Sequence, residues 1–205
     1  MEKKFELTEN YVVNESGTKL YQIKCINTFG NVEKGELGGF IEKEENLSQE
    51  GDAWVSGDAL VSGNARVYGN AWVYGNARVY GDAQVYGNAQ VYGNAWVYGN
   101  AWVCGDARVY GDALVYGYAR VYGTACLKSD ADHCGFDCFG SSNRHTHAYL
   151  TRDNTVEITC GCFRGSIEEF EKRVKNTHAG TVYENQYNAI INVIKIKFGL
   201  DETSK

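Results

Sequence analysis

Alanine and valine recur with a strict period of six residues between Gly51 and Lys128, in the phrase Gly-Asn/Asp-Ala-x-Val-Tyr. The segment divides into 13 such units. Within each unit alanine and valine are two residues apart, so in an extended chain both point inward and the x residue points outward. A period of six does not match an α-helix, and a short fixed period is typical of a solenoid. The pattern therefore predicts short stacked strands, with glycine and Asn or Asp at the corners.

The 50 residues before the repeats predict a small β-hairpin cap. Residues 19–26 alternate apolar and polar side chains, and the turn Asn14–Gly17 precedes them. Ile41 and Leu47 already stand six residues apart. A solenoid needs such a cap because an open end exposes both the core and the strand edges.

The period ends at Lys128, and residues 129–205 predict a separate ββαα unit. Two strand-like runs, 145–151 and 155–163, flank the turn Arg152–Asn154. A helix follows with Ser166 and Glu169 at capping-box spacing. A second amphipathic helix is predicted over residues 183–198.

The repeated phrase V-Y-G-N-A-R resembles the hexapeptide repeat of left-handed parallel β-helix proteins. The resemblance implies a mainly β fold with three units, or 18 residues, per coil and about four coils. Residues 38–55, GGFIEKEENLSQEGDAWV, resemble the same region of bacterial hexapeptide proteins without known activity. The C-terminal motifs GSSN, CGCFRGSIEEF and NTH resemble a small domain that recurs in proteins of phages and prophages.

Composition narrows the classes of partner and compartment. The chain has 20 basic and 26 acidic residues, a net charge of −6, and the repeat segment is neutral. This balance disfavours non-specific binding to nucleic acids or anionic membranes. No window approaches 18 apolar residues and no apolar run follows the first residues, so the sequence predicts a soluble, cytoplasmic protein.

Stacking every 18 residues places the outward x residues in three columns. These columns are 54–72–90–108, 60–78–96–114 and 66–84–102–120, with tyrosine ladders beside them. The aromatic residues could only stabilise the stacked strands, or they could form a partner-binding face. The predicted partner-binding residues are Trp54, Trp72, Trp96, Trp102, Arg78 and Arg108. The resemblance implies self-association, with a trimer favoured.

Enzymes of the resembled fold need residues that the repeats lack. Acyltransferases use an interface histidine and carbonic anhydrases hold zinc with histidines on neighbouring coils, whereas ice-binding β-helices need threonine arrays. The four histidines lie at positions 133, 145, 147 and 178, outside the repeats, and Thr124 is the one threonine within them. The sequence disfavours all three activities.

Cysteine and histidine crowd between residues 133 and 178. Weak zinc candidates are Cys134, Cys138, Cys160 and Cys162, with His133, His145 or His147 nearby, but their spacing departs from the usual C-x2-C and packing is the alternative. No metal or other cofactor is predicted. Cys160 or Cys162 could also form a nucleophilic pair with His178.

A phosphate site is the remaining hypothesis for this segment. Arg164 and Ser166 precede a helix N-terminus, where free backbone N–H groups favour anions. The candidate ligand residues are Ser142, Asn143, Arg144, Arg164, Ser166 and His178.

Together these patterns predict a non-enzymatic phage or bacterial scaffold protein that oligomerises through the β-helix and binds a partner. The phage resemblance implies a role in counter-defence, by binding a host immune protein or sequestering a nucleotide signal in the host cytoplasm. The alternative is an acyltransferase-like or Cys/His-dependent enzyme with its site in residues 133–178. The predicted segments are a cap over 1–50, a β-helix over 51–128 and an α+β domain over 129–205.

Overall fold

The computed structural model describes residues 3–200. Residues 1–2 of the predicted cap and residues 201–205 of the predicted C-terminal domain lie outside the described residues. The chain forms two compact units, one running to Asp130 and the other beginning at Ala131. The first unit is a parallel β-helix with an N-terminal hairpin, and the second is a four-stranded antiparallel sheet with two helices.

The β-helix has three faces, and successive strands of one face are separated by three hexapeptides. The first face contains β3 (Leu37–Ile41), β5 (Leu60–Val61), β8 (Arg78–Val79), β11 (Trp96–Val97) and β14 (Leu114–Val115). The second contains β6 (Arg66–Val67), β9 (Gln84–Val85), β12 (Trp102–Val103) and β15 (Arg120–Val121). The third contains β4 (Trp54–Val55), β7 (Trp72–Val73), β10 (Gln90–Val91), β13 (Arg108–Val109) and β16 (Cys126–Leu127).

The helix has about five turns, one more than the sequence predicted. Phe40 and Ile41 pair in parallel with Leu60 and Val61, and Leu47 forms a bridge with Val67. The first turn therefore begins inside the segment that was assigned to the cap. The spacing hid it, because Leu47 and Val55 are eight residues apart instead of six.

The repeat places its alanines and valines in a continuous core, as predicted. From Ala53 to Leu127 the inward residues of each unit are almost wholly buried. Backbone amides of one coil donate to carbonyls of the next, as from Trp72 to Ala89 at 2.9 Å. Tyrosines at the corners stack in parallel at centroid separations of 4.8–5.4 Å, which confirms the predicted ladders at 68–86, 74–92–110 and 80–98–116.

Asparagine and aspartate also stack at the corners, and within the repeats no two aspartates stand one coil apart. Asn76 Nδ2 donates to Asn94 Oδ1 at 3.2 Å, and Asn94 Nδ2 donates to Asp112 Oδ1 at 3.0 Å. The residues one coil from Asp52, Asp58, Asp82, Asp106 or Asp112 within the repeats are Asn64, Asn70, Asn76, Asn88, Asn94, Asn100 and Thr124. An amide beside each carboxylate supplies a donor and avoids like-charge repulsion at a spacing of about 4.8 Å.

Substituting Asn94 by Asp tests this alternation. We expect Asn94→Asp to reduce the free energy of unfolding by about 1 kcal/mol at neutral pH, because two carboxylates then face each other and one hydrogen bond is lost. The deficit should shrink below about pH 4, where carboxylates protonate. The double variant Asn94→Asp/Asp112→Asn restores the donor–acceptor pair and is the matched control. Equal stability of the single and double variants in urea at pH 7 would contradict the explanation.

The N-terminal hairpin continues the sheet of the first face beyond the first turn. β1 (Phe5–Val13) pairs antiparallel with β2 (Lys19–Cys25), and β2 pairs antiparallel with β3. The strand predicted over residues 19–26 and the turn before it are thereby confirmed. Buried side chains of the hairpin, with Phe5, Leu20 and Ile23 among them, cover the first turn.

Two buried polar side chains replace the backbone donors that a preceding coil would supply. Lys4 Nζ donates to the carbonyls of Gly51 at 3.1 Å and Ala53 at 2.7 Å. Asn46 Nδ2 donates to the carbonyls of Gly63 at 3.1 Å and Ala65 at 2.8 Å. Burial lowers the pKa of Lys4 to about 8. The open end is therefore closed by side-chain hydrogen bonds as well as by apolar contact.

The C-terminal unit contains four strands where the sequence predicted two. They are β17 (His133–Phe139), β18 (Arg144–Leu150), β19 (Val156–Cys160) and β20 (Phe163–Ser166), followed by α1 (Ile167–His178) and α2 (Val182–Lys197). Both predicted helices are confirmed, and Ser166 and Glu169 form the predicted capping box. The predicted run 155–163 divides because Gly161, with φ +61°, and Cys162 form a two-residue hairpin turn.

Candidate functional site

The three predicted columns of outward residues are confirmed by the strand register. Trp72 pairs with both Trp54 and Gln90, Trp96 with Arg78 and Leu114, and Trp102 with Gln84 and Arg120. Stacked parallel strands in register bring each residue beside the one 18 positions later. The columns are therefore a direct consequence of the repeat.

Trp54 is not on an exposed wall, which corrects its prediction as a partner-binding residue. Its side chain is fully buried and packs edge-on against Phe5 at 6.5 Å and Phe29 at 5.5 Å. Phe5 lies on β1 and Phe29 lies in the connection between β2 and β3, so the fold of the N-terminal segment removes this tryptophan from the surface. A partner has no access to it.

The wall arginines stack on the wall tryptophans of the neighbouring coil. The Arg78 guanidinium lies 4.9 Å from the Trp96 ring, and the Arg120 guanidinium lies 5.0 Å from the Trp102 ring. Arg78 also forms an ion pair with Glu15 at 2.8 Å. These contacts stabilise the rod internally, so the interface role of Arg78 and Trp96 competes with an intramolecular one.

The third wall carries an exposed candidate residue, Arg108. Trp72 is half-buried and Arg108 is exposed, and Gln90 separates them in the column. Arg108 forms no ion pair with any described residue. The partner-binding role of Trp72 and Arg108 stays a prediction.

The C-terminal unit contains a pocket of about 110 Å³ between the ends of β18–β20 and the two helices. Arg144 comes from β18, Cys160 and Cys162 flank the hairpin turn, and His178 ends α1. The pocket is lined by these residues together with Phe163, Phe170, Arg173, Val174, Thr177 and Tyr187. The fold thus brings together residues that the sequence had assigned to three different hypotheses.

Alternation along the strands divides the predicted phosphate ligands between the two faces of the sheet. Arg144 lies on the helix-packed face, whereas Arg164 lies on the opposite face and donates to both carboxylate oxygens of Glu157, at 2.6 and 3.1 Å. Ser142 and Asn143 lie in the exposed turn before β18. Only Arg144 and His178 of the predicted set line the pocket.

The N-terminus of α1 is occupied by the protein's own carboxylates, which corrects its prediction as an anion site. The Ser166 backbone N–H donates to Glu169 at 2.8 Å, and the Ser166 hydroxyl donates to Glu168 at 2.7 Å. This hydrogen bond lowers the pKa of Glu168, so its carboxylate is charged at neutral pH. An external phosphate would meet two negative groups here.

The cysteines and histidines are also divided by strand alternation. Cys134 packs towards α2 and its burial raises its pKa to about 11, which disfavours the thiolate that zinc requires. His133 lies on the other face, where its Nδ1 is 3.0 Å from Nε2 of His147, and His145 contacts Asp137 at 2.6 Å. Within residues 3–200 no three His, Cys, Asp or Glu side chains form a group that could hold a metal.

The nucleophilic pair is only partly assembled. Cys160, Cys162 and His178 line the same pocket, but no hydrogen bond joins His178 to either thiol in the described chain. The Cys160 thiol instead contacts Thr146 Oγ1 at 3.3 Å and Tyr187 Oη at 3.7 Å. His178 stacks on Tyr187, with a ring separation of 5.5 Å.

Sequence reasoning missed Arg173 and Tyr187 as pocket residues. Arg173, Val174, Thr177 and His178 share one side of α1 at the i, i+4 spacing of a helix. That spacing was the available signal. Tyr187 had no signal of its own, because only the packing of α2 against α1 brings it to the pocket.

These observations define a parallel β-helix protein built from hexapeptide repeats. A family model described as the YdcK beta solenoid repeat matches residues 53–69, 59–75, 71–87, 89–105 and 107–123. All the matches fall within the β-helix, so they concern the repeats rather than the C-terminal unit. A search of curated proteins found no match to this chain. Neither α1 nor α2, the helices of the described chain, is long and apolar enough to cross a membrane.

Proposed function

We propose that this protein is a non-enzymatic interaction protein, in which the β-helix is a scaffold and the C-terminal unit associates with a second copy of the chain. The observation that carries the proposal is an exposed apolar stripe along α2. Its large members are Val182, Val193, Ile196 and Leu200, with exposed fractions of 62%, 47%, 58% and 50%. Val193, Ile196 and Leu200 lie together at the end of α2 and just beyond it. Val182 lies on the same side three turns earlier, separated from them by Gln186 and Ala189.

The opposite side of α2 already forms the core of the C-terminal unit. Tyr187, Ile190, Ile191 and Ile194 are buried there. A helix that is apolar on both sides is normally covered on both sides. Exposed apolar patches of this kind mark interaction surfaces. We therefore expect a partner to cover the outer side of α2.

The polar edges of the stripe favour a second copy as the occupant. Asn185, Gln186 and Asn192 flank it, and all three carry neutral amides. Lys197, four residues after Val193, is a charged residue beside the stripe. It lies at the end of α2, so an antiparallel pairing of two identical stripes about a two-fold axis keeps the two Lys197 side chains apart. The proposal places self-association on α2 rather than on the β-helix walls, because Trp54 is buried and Arg78 is engaged by Glu15 and Trp96.

The biological setting in the proposal follows from the resemblance of the C-terminal motifs to a phage or prophage domain. The protein would act in a bacterial cytoplasm, and the third wall of the scaffold, with Trp72 and Arg108, would bind a host protein. A host immune protein is the partner class that the resemblance implies. Co-purification from an expressing bacterium tests this part of the proposal.

The stripe predicts that wild-type protein is dimeric and that Val193→Glu is monomeric. A buried carboxylate opposite an apolar surface has no partner, so its desolvation opposes association. Light scattering coupled to gel filtration measures the mass of both proteins over a range of concentrations.

Val13→Glu is the matched control, because Val13 is a similarly exposed valine at 56% on the N-terminal hairpin. It should remain dimeric, and circular dichroism should show that both variants are folded. A monomeric wild type, or a trimer that Val193→Glu does not change, would overturn the assignment to α2.

A further inference from the structure

From the C-terminal pocket we infer a second, independent activity: this unit binds a phosphate monoester, with the phosphate held between Arg144 and Arg173 and the organic group at the mouth of the pocket. Both arginines line the pocket, and they come from β18 and α1 respectively. The inference does not depend on self-association through α2.

Both arginines lack an acidic partner among residues 3–200. Neither guanidinium forms an ion pair with any described residue. Other cations of the same unit are engaged, since Arg164 pairs with Glu157 and Lys195 pairs with Glu171 at 2.6 Å. Two unpaired guanidinium groups at one pocket present about two positive charges to an external anion.

The position of Arg144 depends on Gly161. A Cβ at Gly161 would lie 2.5 Å from a terminal nitrogen of Arg144 and 2.8 Å from its Cδ. The absence of a side chain in the hairpin turn thus lets the arginine lie across the turn at the edge of the pocket. The sequence Cys-Gly-Cys is in this sense part of the site, although neither thiol is required as a ligand.

The interior of the pocket combines a neutral phenol with aromatic rings. Burial, together with the neighbouring Cys160, raises the pKa of Tyr187 to about 12, so its phenol stays protonated and neutral at pH 7. Phe163 and Phe170 pack at 5.0 Å, and Phe170 packs edge-on against Tyr187 at 5.6 Å. These rings form an apolar floor. Such a floor suits a ligand that carries an organic group as well as a phosphate.

Size and charge together select the phosphate monoester. The pocket has a volume of about 110 Å³, which is enough for one oxyanion beside the two arginines. A monoester carries nearly two negative charges at pH 7 and offers three acceptor oxygens, which match two guanidinium groups. A carboxylate carries one charge and would leave one arginine unmatched.

Calorimetric titration of the full-length protein tests the inference with four probes. These are inorganic phosphate, phenyl phosphate, adenosine 5′-monophosphate and benzoate. We expect phenyl phosphate and the nucleotide to bind, inorganic phosphate to bind more weakly, and benzoate to give no heat. A preference for the nucleotide over phenyl phosphate would identify a nucleotide as the source of the phosphate, and the reverse order would favour phosphorylated tyrosine.

Two substitutions and one control locate the binding. Arg144→Gln and Arg173→Gln should each weaken phenyl phosphate binding at least tenfold. Lys172→Gln removes the same charge from an exposed neighbour on α1 that does not line the pocket, and it should change the affinity less than twofold. Light scattering on the same samples reports self-association separately.

Three outcomes would overturn the inference. They are no heat with any phosphate at millimolar concentration, an equal loss of affinity in Lys172→Gln, and benzoate binding as tight as that of phenyl phosphate. The circular dichroism spectrum of each variant checks that the variant is folded.

Discussion

Gly93→Ala should destabilise the β-helix by about 3 kcal/mol or more, a large effect for the addition of one methyl group. Gly93 has φ +70°, a conformation that costs an L-residue about 1–2 kcal/mol. A Cβ at this position would also lie 2.9 Å from the backbone nitrogen and 3.2 Å from the carbonyl oxygen of Gly111 in the next coil. That oxygen accepts the hydrogen bond from Asn94 at 2.8 Å, so the coils cannot separate without weakening the ladder.

Gly117→Ala separates the two contributions. Gly117 has nearly the same φ, +64°, but a Cβ there would meet no atom within 4 Å. This control should therefore cost only the conformational penalty, about 1 kcal/mol. Similar costs for the two variants would mean that the contact between coils contributes little.

Tryptophan fluorescence is the appropriate measurement for both variants. The four tryptophans of the chain, at 54, 72, 96 and 102, all lie in the β-helix. Unfolding in urea followed by their emission therefore reports on the β-helix and not on the C-terminal unit. The difference in midpoint between Gly93→Ala and Gly117→Ala gives the cost of the contact directly.

Asn46→Ala should cost about 2–3 kcal/mol, because it removes both hydrogen bonds that close the N-terminal end of one face. The Asn46 side chain is fully buried, and its amide donates to the carbonyls of Gly63 and Ala65. Alanine would leave these carbonyls without that donor, and an unsatisfied buried polar group costs about 1–3 kcal/mol. The side-chain Oδ1 of Asn46 also accepts a hydrogen bond from the Lys43 backbone N–H at 3.0 Å, and this contact is lost as well.

Asn100→Ala is the matched control for Asn46→Ala. Asn100 is exposed at a corner of the repeat, and its side chain forms no hydrogen bond with another described residue. Its replacement should change the stability by less than about 0.5 kcal/mol. If Asn46→Ala costs no more than Asn100→Ala in the same urea experiment, the end of the β-helix does not depend on this amide.

The prediction of the β-helix succeeded because one local rule was repeated many times. Each hexapeptide specifies inward Ala and Val, an outward residue and a glycine corner, and stacking then fixes the columns. The rule failed where the period was interrupted. Two extra residues between Leu47 and Val55 concealed the first turn. The burial of Trp54 by Phe5 and Phe29 depends on an N-terminal segment that has no period.

The candidate site was less predictable, since it depends on which face of a strand each residue occupies. The sequence offered Arg144 and Arg164 equally as candidate phosphate ligands. In the structure Arg144 lies at the pocket, whereas Arg164 pairs with Glu157. The N-terminus of a helix does favour anions, but the carboxylates of Glu168 and Glu169 already occupy that position in α1. Arg173 and Tyr187 enter the site only through the packing of the helices.

The sequence by itself determined the short stacked strands of the repeats, the hairpin strand and the two C-terminal helices, because short-range periodicity and capping chemistry specify these elements locally. The resemblance to hexapeptide-repeat proteins added the three faces, and the columns follow from them. Only the tertiary structure decided which polar groups meet. It assigned Lys4 and Asn46 to the open end of the β-helix, and it gathered Arg144, Arg173 and His178 around one pocket. These contacts join residues that are distant along the chain, and no local sequence pattern encodes them.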